Sequence, residues 1–261
     1  MVKYPLSVKT SCSNKKLSTP LRWPGGKSRS IKSIIDKVPK HNTYVEPFAG
    51  GASLFFAKPI VGKNVINDVN KGLVNFYKEL RDDKSCGLAK CKVPENDNQF
   101  QKARLKKDTD ACAFFGVNKR GYGGSPNSKN YVYDKPFGNA KIKKGCNCYR
   151  EKLKDTVILN QDYKKVFKDY DSKNTLTYLD PPYWGTDNSQ LYNTDTPHPK
   201  EICGLARGAK GKVMISYNDD KEVRKGCKGL KTRKIETEYI LQNGPKTETH
   251  KKVKELLITN Y

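Results

Sequence analysis

The sequence predicts an α/β fold: an open sheet with helices on both faces, interrupted by a smaller, mostly helical and loop-rich insert. Three observations predict it. Tyr44-Val45-Glu46 reads as a short strand running through Pro47-Phe48-Ala49-Gly50-Gly51 into an apolar helix start at Leu54, Phe55 and Phe56. Asn64 to Asp68 and Leu176-Thr177-Tyr178-Leu179 are two further strand-like runs, each ending at an acid; strands that alternate with helical stretches indicate βαβ units. Residues 86–149 lose this alternation and are polar, basic and turn-rich. The reading therefore assigns residues 1–85 and 150–261 to one sheet domain and 86–149 to an insert, and 261 residues suffice for a real core.

Taken in chain order, the first element is Leu21-Arg22-Trp23-Pro24-Gly25-Gly26-Lys27-Ser28, a forced turn before a helix-like stretch with Ile31, Ile34, Ile35 and Val38 on one face. A cation at a helix start opposes the macrodipole, so Lys27 calls for an anionic partner, such as the carboxylate of an amino-acid-like ligand. The plain alternative is a solvated lysine. Next, the glycines after Glu46 let backbone approach a ligand, and the following helix offers its positive end: a cradle for a nucleoside-type ligand. Asp68 ends the next strand, where a carboxylate could take a ribose diol; its alternative is to N-cap the helix carrying Leu73, Val74, Phe76, Tyr77 and Leu80.

In the insert, an amphipathic stretch around Phe100 to Leu105 and a short helix through Ala111 to Val117 lead into Asn118-Lys119-Arg120-Gly121-Tyr122-Gly123-Gly124-Ser125-Pro126-Asn127. Gly and Pro there prevent long regular structure. Such a loop suits a groove-reading surface, with basic residues on phosphates and Asn, Ser or Arg on base edges. An ordinary flexible loop would have the same composition.

Asp180-Pro181-Pro182-Tyr183 carries the chemistry. An aromatic amine is a poor nucleophile because its lone pair is delocalised into the ring. A carboxylate and a fixed backbone carbonyl can accept its two N–H bonds as the nitrogen turns tetrahedral, which stabilises the transition state selectively. Proline fixes φ and holds that carbonyl, and Tyr183 offers a flat face to an unstacked base. A rigid turn closing a strand would use the same residues.

Composition narrows the partner. The 51 Lys+Arg against 27 Asp+Glu give a formal net charge of +24, the electrostatic footprint of a nucleic-acid binder whose affinity falls steeply with salt. No apolar run is long enough for a membrane span, and Met1 to Lys16 lacks the apolar centre of a signal peptide, so an intracellular location is expected. Eight cysteines lack C-x-x-C spacing and only three histidines accompany them. The spacing therefore predicts free thiols and no metal, with Cys146-Asn147-Cys148 the one metal candidate.

These residues resemble the Dam-type, alpha-class (D12 class) adenine-N6 DNA methyltransferases, over nearly the whole chain. Trp23 to Lys27 resembles the family's N-terminal cofactor motif, Glu46 to Ser53 its glycine-rich motif, Asn67-Asp68 its acidic strand end and Asp180 to Tyr183 its catalytic motif, in the family's order. Val213 to Asn218 and Lys251 to Ile258 resemble two late core strands. The resemblance implies a Rossmann-like methyltransferase sheet with S-adenosyl-L-methionine as cofactor. Trp23, Gly26 and Lys27 would lie near its methionine part, Glu46, Phe48, Gly50 and Ser53 in the cradle, Asp68 at the ribose and Asp162 at the adenine, with Asp180 adjoining. It implies double-stranded DNA as partner and Asp180, Pro181, Pro182 and Tyr183 as the catalytic group.

Lys119 to Gly124 resembles an Arg-Tyr-Gly-Tyr-Asn-Gly block, and Asp134 to Gly138 a Val-Pro-Phe-Gly block. The implied DNA-contacting residues are Arg22, Lys119, Arg120, Tyr122, Gly123, Ser125, Asn127 and Pro136, with Tyr122 matching an aromatic near the flipped base and Arg22 a guanine reader. GATC is the favoured site, although Gly123 stands where the family often has Asn, and Asn127 near an expected arginine. A restriction endonuclease of the same specificity is an admitted partner. Three rivals remain open: a cytosine-N4 methyltransferase, which typically has Ser in place of Asp180; a protein-glutamine or RNA methyltransferase, which usually has Asn there; and a catalytically silent DNA-binding protein.

Overall fold

The computed structural model of the protein describes residues 12–133, 140–186, 196–242 and 248–261. Five parallel strands form most of its sheet: β1 (Thr43–Glu46), β2 (Lys63–Asn67), β3 (Thr156–Leu159), β4 (Thr175–Leu179) and β5 (Lys212–Asn218). β6 (Lys231–Gln242) forms an antiparallel pair with β7 (Glu248–Thr259), and β7 inserts antiparallel beside β5. The order is β3-β2-β1-β4-β5-β7-β6, a Rossmann-like sheet with an antiparallel pair at one edge. Every residue of β4 is buried, as expected of a central parallel strand covered on both faces.

The alternation along the strands separates two cores. Tyr44, Ile66, Leu176, Tyr178, Met214 and Leu257 face one layer with Phe55 and Phe56 of α2 (Ser53–Ala57) and Phe76 and Tyr77 of α3 (Lys71–Asp82). Leu179, Val213, Ile215, Tyr217 and Ile258 face the other, with Ile202 and Ala206 of α8 (Pro199–Gly208) and Val223 of α9 (Lys221–Gly226). A third small group joins Val45 and Val65 to Val166 of α7 (Tyr163–Tyr170). The stretch after the Pro-Gly-Gly turn gives only α1 (Ile31–Ile35), with Ile31 and Ile34 buried. Lys27 thus precedes the helix rather than opening it.

The insert contains α4 (Asp97–Lys106), α5 (Ala111–Arg120) and α6 (Ala140–Leu153). It lacks a core wholly its own. Phe114 and Phe115 of α5 and Ile142 and Tyr149 of α6 belong to the same buried cluster as α3, with the Phe76 and Phe115 rings stacked 5.8 Å apart. Among the described residues, Phe100, Val117 and Tyr131 form a separate small cluster. Truncating Phe76 would open the packing between α3 and the insert, at a cost of about 3–5 kcal/mol. α6 runs through residues 149 and 150, so the drawn boundary falls inside a helix.

The expectation of free thiols is overturned. All eight cysteines are paired, as Cys12–Cys148, Cys86–Cys146, Cys91–Cys112 and Cys203–Cys227. The partners lie 21 to 136 residues apart in sequence, so local spacing carries no sign of them. Folding brings their Cα atoms to 5.0–6.1 Å, within the ordinary range for a disulfide. Cys146 and Cys148, the metal candidate, are divided between two bridges.

Candidate active site

Strand order reverses between β1 and β4, and in such sheets the crevice beyond the carboxyl ends at that point is the ligand site. The glycine-rich turn leaves β1 there, and Asp180-Pro181-Pro182-Tyr183 leaves β4. Both runs lie at the switch point because their strands are direct neighbours, with Val45 opposite Thr177.

Lys27 is nearly fully buried and reaches into this crevice. Its Nζ lies 2.8 Å from Asp180 Oδ1, donates to the Gly25 carbonyl at 2.7 Å and sits 4.7 Å above the Tyr183 ring. The sequence called for an anion beside Lys27, and the anion is Asp180. Burial pushes the Asp180 carboxyl up to about 6; Lys27 opposes that shift and the buried Glu255 of β7 adds to it. Asp180 is thus an anion at neutral pH, held against an interior that disfavours its charge.

Trp23 lies against the cradle. Gly50 has φ +46°, and a Cβ there would come 2.5 Å from the Trp23 indole nitrogen, which only glycine avoids. Asp68 receives the Gly50 N–H at 2.8 Å and the Asn70 N–H at 2.9 Å. Burial pushes its carboxyl up to about 6 despite these amides. It does not cap α3: Asn70 does, accepting from Leu73 N at 2.9 Å. Asp162 does cap a helix, accepting from Lys164 N at 2.9 Å at the start of α7, and it is exposed beside the same crevice.

Phe48 meets Tyr163 at 4.7 Å between ring centroids. Ser53 begins α2 and is buried, and Gly26 closes the turn onto the Trp23 carbonyl at 2.9 Å. Glu46 is turned inward instead. It is 2% exposed, accepts from Tyr44 Oη at 2.8 Å and is pushed up to about 8 by burial. It supports the floor of the site rather than lining it.

The insert residues divide sharply. Tyr122 is 73% exposed at the rim of a loop closed by an antiparallel bridge between Gly121 and Tyr131. Gly123 and Gly124 both take positive φ there. Ser125 is buried, and its Oγ accepts from Asn127 N at 3.2 Å. Lys119 and Arg120, expected on phosphates, are buried. Lys119 Nζ donates to the Pro20 carbonyl at 3.2 Å, and Arg120 donates to the carbonyls of Pro94 at 2.7 Å and Val132 at 3.3 Å. They lie in the last turn of α5, the helix that enters the core, so their cations hold the loop stem together. Arg22 is half-buried beside this loop. Pro136 lies outside the described residues.

Sequence reading missed Asn67, Asn118, Tyr163 and Glu255. Asn67 ties three strand ends together, donating to the carbonyls of Pro47 at 2.9 Å and Gln161 at 3.0 Å while accepting from Gln161 N at 2.9 Å. Its place at the end of β2, directly before Asp68, was the available signal.

With this geometry in hand, the comparisons are specific. A model of the D12 class N6 adenine-specific DNA methyltransferases matches residues 23–241. The chain belongs to this family. It is 32% identical over 176 residues to the Type II methyltransferase M.CviBI of Paramecium bursaria Chlorella virus NC1A, covering 62% of this chain and 68% of that one. It is 27% identical over 272 residues to the Type II methyltransferase M1.LlaDCHI of Lactococcus lactis subsp. cremoris, covering 92% and 94%. The DNA adenine methylase of Salmonella typhi is 26% identical over 263 residues, covering 91% and 93%. This D12-class protein is accordingly a site-specific adenine DNA methyltransferase, and DNA is its substrate. Among the described residues no helix is long and apolar enough to cross a membrane.

Proposed function

We propose that Asp180, Pro181, Pro182 and Tyr183 are the catalytic group, acting on N6 of an adenine flipped out of duplex DNA, with S-adenosyl-L-methionine as methyl donor. The observation that carries this reading is the pairing of Asp180, at the end of β4, with the buried Lys27, 2.8 Å apart. The carboxylate of Asp180 accepts one N–H of the amine and the Pro181 carbonyl the other, so that the nitrogen lone pair is localised as the centre turns tetrahedral. Lys27 keeps Asp180 ionised and fixed in place. The amine must lose one proton, and Asp180, with its carboxyl at about 6, can take it and release it to water at neutral pH.

The residues present fit the donor. Trp23 packs directly on the positive-φ Gly50 turn and gives the cradle an aromatic face, Asp68 stands at the next strand end for ribose hydroxyls, and the Phe48–Tyr163 pair and Asp162 offer an aromatic wall and an acceptor for adenine. Gly26 and Ser53 complete the cradle. When bound, the donor supplies an electrophilic methyl group on a sulfonium.

On the DNA side, the exposed Tyr122 would enter the duplex, with Arg22 and Asn127 beside it for base and phosphate contacts. GATC is the site this reading favours. A restriction endonuclease of matching specificity and an intracellular location complete the proposal. Reducing compartments keep thiols unpaired, so within the cytosol the four disulfides would describe the oxidised form of the enzyme. The direct test is Asp180→Ala: loss of methyl transfer with cofactor and DNA affinity kept supports the assignment, and retained turnover rejects it.

A further inference from the structure

Asn118 is fully buried, near the end of α5, and its amide uses both ends on residues far away in sequence. Arg22 N–H donates to its Oδ1 at 3.2 Å, while its Nδ2 donates to the Arg22 carbonyl at 2.6 Å and to the Gly124 carbonyl at 2.8 Å. The side chain therefore clasps one backbone unit from both sides and holds the recognition loop with its remaining hydrogen. Gly124 closes the contact: a Cβ there would come 2.6 Å from Arg22 Cβ and 3.0 Å from the Arg22 carbonyl, at a φ of +76°.

Each end of this clasp leads to a working part. Gly124 lies two residues from the exposed Tyr122, inside the loop closed by the Gly121–Tyr131 bridge. Arg22 is followed directly by Trp23, whose indole covers Gly50 of the cradle, and five residues later by Lys27, which holds Asp180. A buried amide left without partners is costly, so the loop and the Arg22–Lys27 segment cannot shift independently without breaking these bonds. Three apolar contacts could hold the same backbones together, but they would tolerate sliding. A bidentate amide fixes register.

We propose that Asn118 is a positioning residue that couples engagement of DNA by the Tyr122 loop to the arrangement of the cofactor cradle and Asp180 through the Arg22–Lys27 segment. The inference rests on the reading of that loop as a DNA-contacting surface. Coupling of this kind is reciprocal: DNA should tighten the nucleoside ligand by the same factor as the ligand tightens DNA, typically about 5–150-fold.

The test is a binding cycle on the full-length protein, with S-adenosylhomocysteine as unreactive probe and a mixed-sequence duplex as DNA. Affinity for each is measured alone and in the presence of the other. In wild type, DNA should tighten the probe several-fold. In Asn118→Ala the probe and DNA should each still bind alone, while the coupling factor falls to about 1. Gly124→Ala, which forces the loop off Arg22 without touching the helix core, should lose coupling in the same way, and it serves where Asn118→Ala fails to fold. Wild-type coupling of 1, or undiminished coupling in the folded variants, overturns the proposal. Tyr122→Ala separates the two readings: unchanged DNA affinity in that variant rejects the loop as a DNA contact, while the cycle still decides whether Asn118 couples the sites.

Discussion

The strand-end crevice and the insert both bury lysine or arginine, yet the buried cations do different work. In the crevice Lys27 faces a carboxylate, Asp180, at 2.8 Å. In the insert Lys119 and Arg120 face backbone carbonyls of Pro20, Pro94 and Val132. A cation paired with an acid sets that acid's charge and position, which is a chemical role. A cation on carbonyls joins segments of chain, which is a structural role. Burial alone therefore does not mark function; the partner does.

Asp180→Ala should break the crevice half of this comparison most severely. Loss of one preorganised hydrogen-bonding partner of a transition state typically costs about 10²–10³ in kcat. A filter assay with labelled donor would show it, with DNA affinity as the control. Tyr122→Ala should weaken DNA binding or turnover by about 5–150-fold, the equivalent of one base–aromatic stack of ~1–3 kcal/mol. Lys119→Met should not share that signature. It should lower thermal stability while leaving the salt dependence of DNA binding unchanged, because its ammonium is already spent inside the fold; a shallower salt slope would return it to the phosphates.

Lys27→Met sharpens the same contrast through pH. In the proposed mechanism Asp180 acts as an anion and its carboxyl stands at about 6, so turnover should fall as pH drops through that value. Lys27 lowers that carboxyl and its removal leaves burial and Glu255 unopposed. The acid limb of the pH–rate profile should therefore move upward, with activity partly recovered on the alkaline side. An unmoved limb would show that the pair does not govern the reacting group.

The smallest expected effect concerns stability alone. Breaking Cys12–Cys148, which closes 136 residues, should cost more than breaking Cys91–Cys112, which closes 21. The chain-entropy difference is about 1–2 kcal/mol, measurable by denaturant unfolding of the two double-serine variants.

The legible parts of the molecule were those where residue order alone constrains geometry. Asp180 to Tyr183 follows an apolar run too short for a helix, so its place at a strand end could be read directly. The glycine turn after Glu46 was legible for the same reason. An anion beside Lys27 was expected from a helix start, but Lys27 precedes α1 and its partner is Asp180 of the distant β4 end. Long-range contacts were not. Nothing local distinguishes Arg120, which turns inward to Pro94, from a phosphate-binding arginine. Asn118 meets Arg22 across 96 residues, and the cysteines pair across 21 to 136. Glu46 shows the limit within a motif: the right position in sequence, but a carboxyl turned toward Tyr44 instead of the crevice.

The most direct measurement is base-resolution mapping of methylation on mixed-sequence DNA treated with wild type and with Asp180→Ala. The structure predicts N6-methyladenine in one defined sequence context from wild type, and from the variant a level lower by about 10²–10³ at matched enzyme and time. N4-methylcytosine from wild type, or N6-methyladenine undiminished in Asp180→Ala, would contradict the assignment of Asp180 as the group that activates the adenine amine.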